Sequence, residues 1–364
     1  MTAVYTNLFH PARDWNAFRS TQEELRLGPL TADFTIDNRS CWKTCKKVAL
    51  AILKIILFPW ILYEGIRYLF QRLAMAALYP AQSAILKSCI LPEMKTEALD
   101  IARIHVPPGS IIRHIKLVKD GISYSGLLMG SPGTIENGKW VLQATGNAQP
   151  IEYSESYFHD YQSTGYNLLM VNGPGVGRSE GTATAESLGH PQEIALTYLE
   201  QVIQATRIVL SGFSLGAGAI SQAIKEHDFQ FETTKYLVIQ QMTFDSTANV
   251  AHKFLSHRNT CCTSCLAPIA RCIIQWTGLN VDNTDASRRL LELEIPEVII
   301  QAGNSVGFQH DGVIPAEATH ARTVLQEQMV AHKYIYRIPN ASHNESAHAQ
   351  RIHAIQNWQL GLIV

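Results

Sequence analysis

The sequence predicts an α/β fold, a mostly parallel central sheet flanked by helices, with an apolar helical region in front of it. Three observations predict this. Short apolar runs of strand length recur at 140–144, 166–171, 208–211, 236–242, 297–303 and 333–339, with helical stretches between several of them. One run, Ile208-Val209-Leu210, drives straight into Gly212-Phe213-Ser214-Leu215-Gly216 and a following stretch of small and apolar residues. Finally, Ser214, Asp311 and His343 come in that order, each just past the end of a predicted strand.

The strand at 140–144 leads into the turn Thr145-Gly146-Asn147-Ala148-Gln149-Pro150. The strand at 166–171 leads into Asn172-Gly173-Pro174-Gly175-Val176-Gly177-Arg178-Ser179-Glu180-Gly181. A glycine-rich turn after a strand invites a dinucleotide reading, but Arg178 stands where the third glycine of Gly-x-Gly-x-x-Gly belongs. A phosphate-loop lysine followed by Ser or Thr is missing too. The third strand ends in Gly-x-Ser-x-Gly, the pattern of a nucleophile elbow. There a serine sits on a tight strand-to-helix turn, and the helix N-terminus beneath it favours developing negative charge.

Beyond the strand at 236–242 comes an insert at about 243–289, with an amphipathic helix expected over 266–276. A lid over the serine and plain core packing both account for it. Asp311 follows the strand at 297–303 and precedes a helical stretch expected from Ala316 to about His332. His343 follows the strand at 333–339, ahead of a C-terminal helix expected over 346–360. The three residues supply nucleophile (Ser214), base (His343) and orienting acid (Asp311). Asp245, one strand earlier, is the alternative acid. The backbone N–H of Leu215 and one from the 145–150 turn, for which Asn147 is the candidate, would form the oxyanion hole. Neither a cofactor nor a metal is expected.

These loops together resemble the signature loops of the α/β-hydrolase superfamily, over about residues 110–364, roughly seven-tenths of the chain. More narrowly, the layout and the apolar N-terminal third resemble a branch from Chlamydia-like and Legionella-like intracellular bacteria. Some members of that branch are thought to be lipase-type effectors. Many relatives carry histidine before the glycine of the oxyanion turn, where this chain has Thr145. The resemblance implies a serine hydrolase of a carboxylic ester or thioester, with a small-molecule or lipid acyl substrate. A catalytically silent scaffold at a membrane and a serine peptidase are the alternatives.

At 364 residues the chain holds one large α/β domain, expected at 96–364, and an N-terminal region at 1–95. Net charge is −1 and no basic motif of a nucleic-acid binder is present, which argues against nucleic acid as a partner. Seven cysteines and no secretory signal point to a reducing compartment. Cys261, Cys262, Cys265 and Cys272 with His257 lack the paired spacing of a structural zinc site. Cys41 and Cys45 flank the apolar run 48–63, where acylation is the functional alternative to plain thiols. That run contains Lys54 and Pro59 and falls short of the roughly twenty apolar residues of a spanning helix. Lys43, Lys46, Lys47, Trp42, Trp60 and Tyr63 suit a membrane-surface segment over 48–70. A helix packed on the hydrolase body and a true span are the other readings. The apolar 360–364 reads as a last helical turn or as a secretion signal.

Overall fold

The computed structural model describes residues 33–36, 58–78 and 107–364, apart from positions 108, 148, 155, 258–260 and 346. The expected division at residue 95, the cysteines at 41 and 45, and residues 48–57 of the apolar run lie outside the described residues. The strands are β1 (Asp33–Ile36), β2 (Ile111–Lys119), β3 (Ile122–Gly130), β4 (Lys139–Ala144), β5 (Asn167–Val171), β6 (Arg207–Phe213), β7 (Lys235–Gln241), β8 (Glu297–Ala302) and β9 (Lys333–Ile338). They form one sheet in the order β1-β2-β3-β5-β4-β6-β7-β8-β9. Only β3 runs against the rest, pairing antiparallel with β2 and β5. The remaining pairs are parallel.

A parallel sheet must be covered on both faces, and the period of two in each strand shows how this one is. In β6, Ile208 and Leu210 join the core beneath the helices α3 (His190–Gln201), α4 (Leu215–Glu226) and α7 (Thr284–Glu292). Val209 between them faces the opposite layer, where α2 (Ser156–Gln162) and α9 (His348–Gln359) contribute Phe158, Tyr161, Ala354 and Ile355. Trp140 and Leu142 of β4 face the first layer and Val141 the second.

Between β7 and β8 the chain makes an excursion, α5 (Thr247–Ser256) and α6 (Cys261–Trp276), before returning to the sheet through α7. The excursion leaves and returns through one neck. Ser246 bridges Asp282, Thr247 N–H donates to Val281 O at 3.0 Å, and Asn283 N–H donates to Asp245 O at 2.9 Å. Helix α1 (Phe58–Leu78) packs on α6. Tyr63 and Phe70 meet the Trp276 ring edge-on at 5.3 and 6.1 Å, and Arg67 Nε donates to Trp276 O at 3.2 Å. Pro59, an interruption in the apolar run, falls in the first turn of α1, where a missing N–H costs nothing. Among the described residues no helix is long and apolar enough to cross a membrane.

The long helix expected at 316–332 is shorter. A single 3-10 turn, Ala316–Ala318, precedes α8 (His320–Gln326), and Gln328 and His332 both adopt positive φ beyond it. Thr319 is extended there because it bridges Phe244, and His320 N–H donates to Thr243 O. Tertiary pairing thus overrides local helical preference.

Deep beneath the sheet, Glu297 of β8 is wholly buried. It accepts from Gln240 Nε2 at 2.7 Å, from Ser287 Oγ at 2.8 and 2.9 Å, and from Lys333 Nζ. His320 Nε2 lies 3.3 Å from the same carboxylate and 2.8 Å from Ser287 Oγ. Burial pushes the Glu297 carboxyl up, but the Lys333 charge and the His320 contact outweigh it and hold it at about 2.

Candidate active site

β6 delivers the elbow. Ser214 sits at φ 53° and ψ −118°, a conformation that L-residues rarely hold. Ser214 N–H donates to Gln241 O of β7 at 2.9 Å, while Ser214 O accepts from Ala217 N–H at 3.1 Å and Thr243 Oγ1 at 3.3 Å. The glycines on either side permit the turn by having no side chain. A Cβ on Gly212 would lie 2.4 Å from Ala217 Cα, and one on Gly216 would lie 2.3 Å from Ala144 O. Elbow, helix and the end of β4 therefore press together, and any larger residue at either position forces them apart.

Around Ser214 the ends of three strands converge. His343 Nε2 is 2.8 Å from Ser214 Oγ, and His343 Nδ1 is 2.8 Å from Asp311 Oδ2. The other Asp311 oxygen accepts from the N–H groups of Val313 and Ile314 at 2.9 and 2.7 Å. His343 N–H donates to Asp311 O at 2.7 Å, so backbone and side chain tie the two loops together. Phe213 packs on the imidazole with ring centroids 5.3 Å apart. Asp245, the alternative acid, is engaged elsewhere. Its carboxylate accepts from Asn249 Nδ2 at 2.6 Å, Thr323 Oγ1 at 3.2 Å and the Ser246 N–H.

Leu215 opens α4, so its N–H is one of the first helical donors with no intrahelical acceptor. Across from it lies the turn after β4, closed by Thr145 Oγ1 donating to Gln149 O at 2.7 Å. A small cleft of about 60 Å³ runs between Leu215–Gly216 and the Thr145-Gly146-Asn147 turn. Its far walls are Val171, Pro174, Val176, Ala183, Leu188 and Ala219. The cleft is mostly apolar.

A family model described as Chlamydia CHLPS protein (DUF818) matches residues 36–357. The chain belongs to this family. Its fold is that of the α/β-hydrolase superfamily. The α/β-hydrolase from Vibrio vulnificus is similar over 76% of this chain and 94% of that one, at 15% identity and a TM-score of 0.53. The esterase Pf2001 of Pyrococcus furiosus matches at 12% identity over 70% and 91%, with a TM-score of 0.48. Est1E of Butyrivibrio proteoclasticus, solved with ferulic acid, matches at 14% identity over 66% and 94%, with a TM-score of 0.45. No curated protein matches.

In this CHLPS-family α/β-hydrolase fold, electrostatics separate the two aspartates. Burial pushes the Asp311 carboxyl up, but the bond and charge of His343 and the Ile314 and Val313 N–H groups outweigh it. Its pKa lies below the usual value. Asp245 goes the other way: burial dominates and raises it from 3.8 to about 6 despite its hydrogen bonds. The carboxylate beside His343 is therefore the one that stays ionised to the lower pH. Sequence reasoning missed the far walls of the cleft. Ala183 and Leu188 lie in a loop between β5 and α3 with no motif, and only packing brings them beside Ala219. It also missed Phe213, the residue before the serine, where the motif gave no sign that its ring would brace the imidazole.

Proposed function

We propose that this protein is a serine hydrolase that cleaves a carboxylic ester or thioester of an acyl or lipid substrate through an acyl-enzyme. The observation that carries the reading is the unbroken chain from Ser214 Oγ through His343 to Asp311, with 2.8 Å at each link. His343 Nε2 takes the hydroxyl proton as Ser214 Oγ attacks the carbonyl carbon. The tetrahedral oxyanion forms beside the Leu215 N–H and a donor from the 145–147 turn, assigned to Asn147. The protonated imidazole then gives its proton to the leaving alcohol or thiol. Asp311, accepting from Nδ1, fixes the tautomer and offsets the positive charge. Water enters, loses a proton to the same Nε2, and releases the acid. The apolar lining of the cleft favours the acyl side of the substrate, and Ala248 of α5 and Ile274 of α6 pack in the core cluster to which Ala183, Leu188 and Ala219 of that lining belong.

Labelling with a fluorophosphonate probe tests this. The wild-type protein is expected to label, and Ser214→Ala and His343→Ala are not. A folded wild-type protein that stays unlabelled both in buffer and with liposomes overturns the reading. Hydrolysis of esters of graded length then defines the acyl preference.

A further inference from the structure

Helix α1 is built inside out. Its less exposed face, Glu64, Arg67, Phe70 and Ala74, lies toward α6 and the core beneath it. Glu64 and Arg67 pair there at 3.6 Å, and their side chains are 27% and 36% exposed. Ile66, Leu69 and Leu73, at i, i+3 and i+7, share the opposite stripe, and Leu69 and Leu73 are 58% and 60% exposed. Tyr68 stands beside them, with Arg72 Nε donating to its hydroxyl at 2.7 Å. On α6, Leu266 and Ile269 are also exposed. Water is a poor neighbour for such a surface, and contiguous apolar patches mark places where something docks.

Charge says what kind of partner this is. From Ser246 to Val281 the sequence has Lys253, Arg258 and Arg271 and no Asp or Glu, in a chain whose net charge is −1. Helix α1 carries Arg67 and Arg72 against Glu64 alone. The sequence just before it, 41–57, carries Lys43, Lys46, Lys47 and Lys54 and again no acid. Exposed aliphatic side chains with tyrosines and an excess of cations match a bilayer surface bearing anionic headgroups. A spanning segment is not needed for this.

We propose that α1 and α6 form a docking face for anionic lipid bilayers, and that docking brings the cleft beside Ser214 to the lipid. The connection to the cleft is physical. Ala183, Leu188 and Ala219, which line it, belong to the same core cluster as Ile274 of α6, and Leu215 of the cleft and Ala74 of α1 pack against that cluster. At about 60 Å³ the cleft is far smaller than the roughly 300–1,000 Å³ of sites that enclose a sizeable ligand, so a long acyl chain enters only when the packing in this shared cluster shifts. The docking itself stands without any chemistry at Ser214; the delivery of substrate rests on the hydrolase reading.

Flotation of the full-length protein with vesicles of phosphatidylcholine alone, or of phosphatidylcholine with phosphatidylglycerol, tests the docking. The protein is expected to float with the anionic vesicles and much less with the neutral ones. Leu69→Gln with Leu73→Gln should weaken binding roughly tenfold or more. Arg72→Gln and Arg271→Gln should weaken it by roughly fivefold each. Both sets should keep wild-type circular dichroism and fluorophosphonate labelling. No flotation, or flotation that neither set reduces, overturns the proposal. So does a wild-type dimer in analytical ultracentrifugation that Leu69→Gln with Leu73→Gln dissociates, since a second copy would then cover the face. Flotation of a protein that never labels keeps the docking and rejects the hydrolase.

Discussion

Ser214–His343–Asp311 and Ser287–His320–Glu297 each hold a serine, a histidine and a carboxylate at hydrogen-bond distance, one at the carboxyl ends of the strands and one inside the core. They differ in what the histidine has around it. His343 uses its two nitrogens on different partners, Nε2 toward the serine and Nδ1 toward the acid. A proton can thus be held on one side while the charge is balanced from the other. His320 meets both Ser287 and Glu297 through Nε2, and among the described residues its Nδ1 has no partner. The second carboxylate is also claimed by Lys333, and Ser287 and His320 are fully buried, so no substrate reaches them. Residue types alone do not make a triad. Geometry at the imidazole and access to the serine decide it.

The largest effect that separates the two clusters is expected from their serines. Ser214→Ala should lower kcat/KM for an ester on the order of 10⁵-fold while leaving the melting temperature near wild type. Ser287→Ala should do the reverse, keeping the rate and lowering the melting temperature. Equal rates for wild type and Ser214→Ala would erase the contrast. Asp311→Asn should cost about 10⁴-fold in kcat by offering the imidazole a donor instead of an acceptor. The matched change Asp245→Asn should leave kcat within about twofold, since Asp245 touches neither His343 nor Ser214.

Glu297→Gln strips the buried Lys333 of its counter-charge and should cost about 3–5 kcal/mol in urea unfolding. The pH dependence has a definite sign. The folded Glu297 pKa of about 2 lies below its ordinary 4.5, so its contribution is complete above about 4.5. It is lost as pH falls through 2. The smallest effect belongs to Asp245. Its folded pKa of about 6 exceeds 3.8, so ionisation costs stability as pH rises from 3.8 and the cost is full above 6. Asp245→Asn should therefore stabilise by about 1–2 kcal/mol at pH 8 and by nothing near pH 4, read from melting curves at the two pH values.

Much of the frame was legible because parallel core strands are short continuous apolar runs, and those ending in 144, 171, 213, 241, 302 and 338 appear within a residue or two of where the periodicity predicts them. The elbow was legible because close packing forbids a side chain at Gly212 and Gly216. Other parts depend on partners that are distant in sequence. The hairpin β2–β3 and the edge strand β1 form no comparable runs; in β2 Arg113, His114, Lys116 and Lys119 interrupt the apolar positions. Ser287, Glu297 and His320 have no motif spacing, and β8 simply lays Glu297 beside Lys333 of β9. Apolarity marked residues 48–70 as a helix or membrane segment, yet it does not tell which face of such a helix turns inward. That was fixed by Trp276 receiving Tyr63, Arg67 and Phe70.

The neck that closes α5 and α6 has a consequence for how such a protein diversifies. Because the excursion departs and returns at Ser246 and Asp282 side by side, the strands of the sheet pair without any residue from between them. Lengthening that stretch at its exposed positions changes mainly a loop-closure term, which grows slowly with length. Ala248, Ile274, Leu279 and Val281, by contrast, share a buried cluster with Ala183, Leu188 and Ala219 of the body and have to be kept. A chimera that keeps those apolar positions and takes a foreign sequence elsewhere between 247 and 281 is expected to change its substrate preference while its Ser214, His343 and Asp311 stay where they are. The body would be the constant part of a lineage, and the excursion the part on which selection experiments.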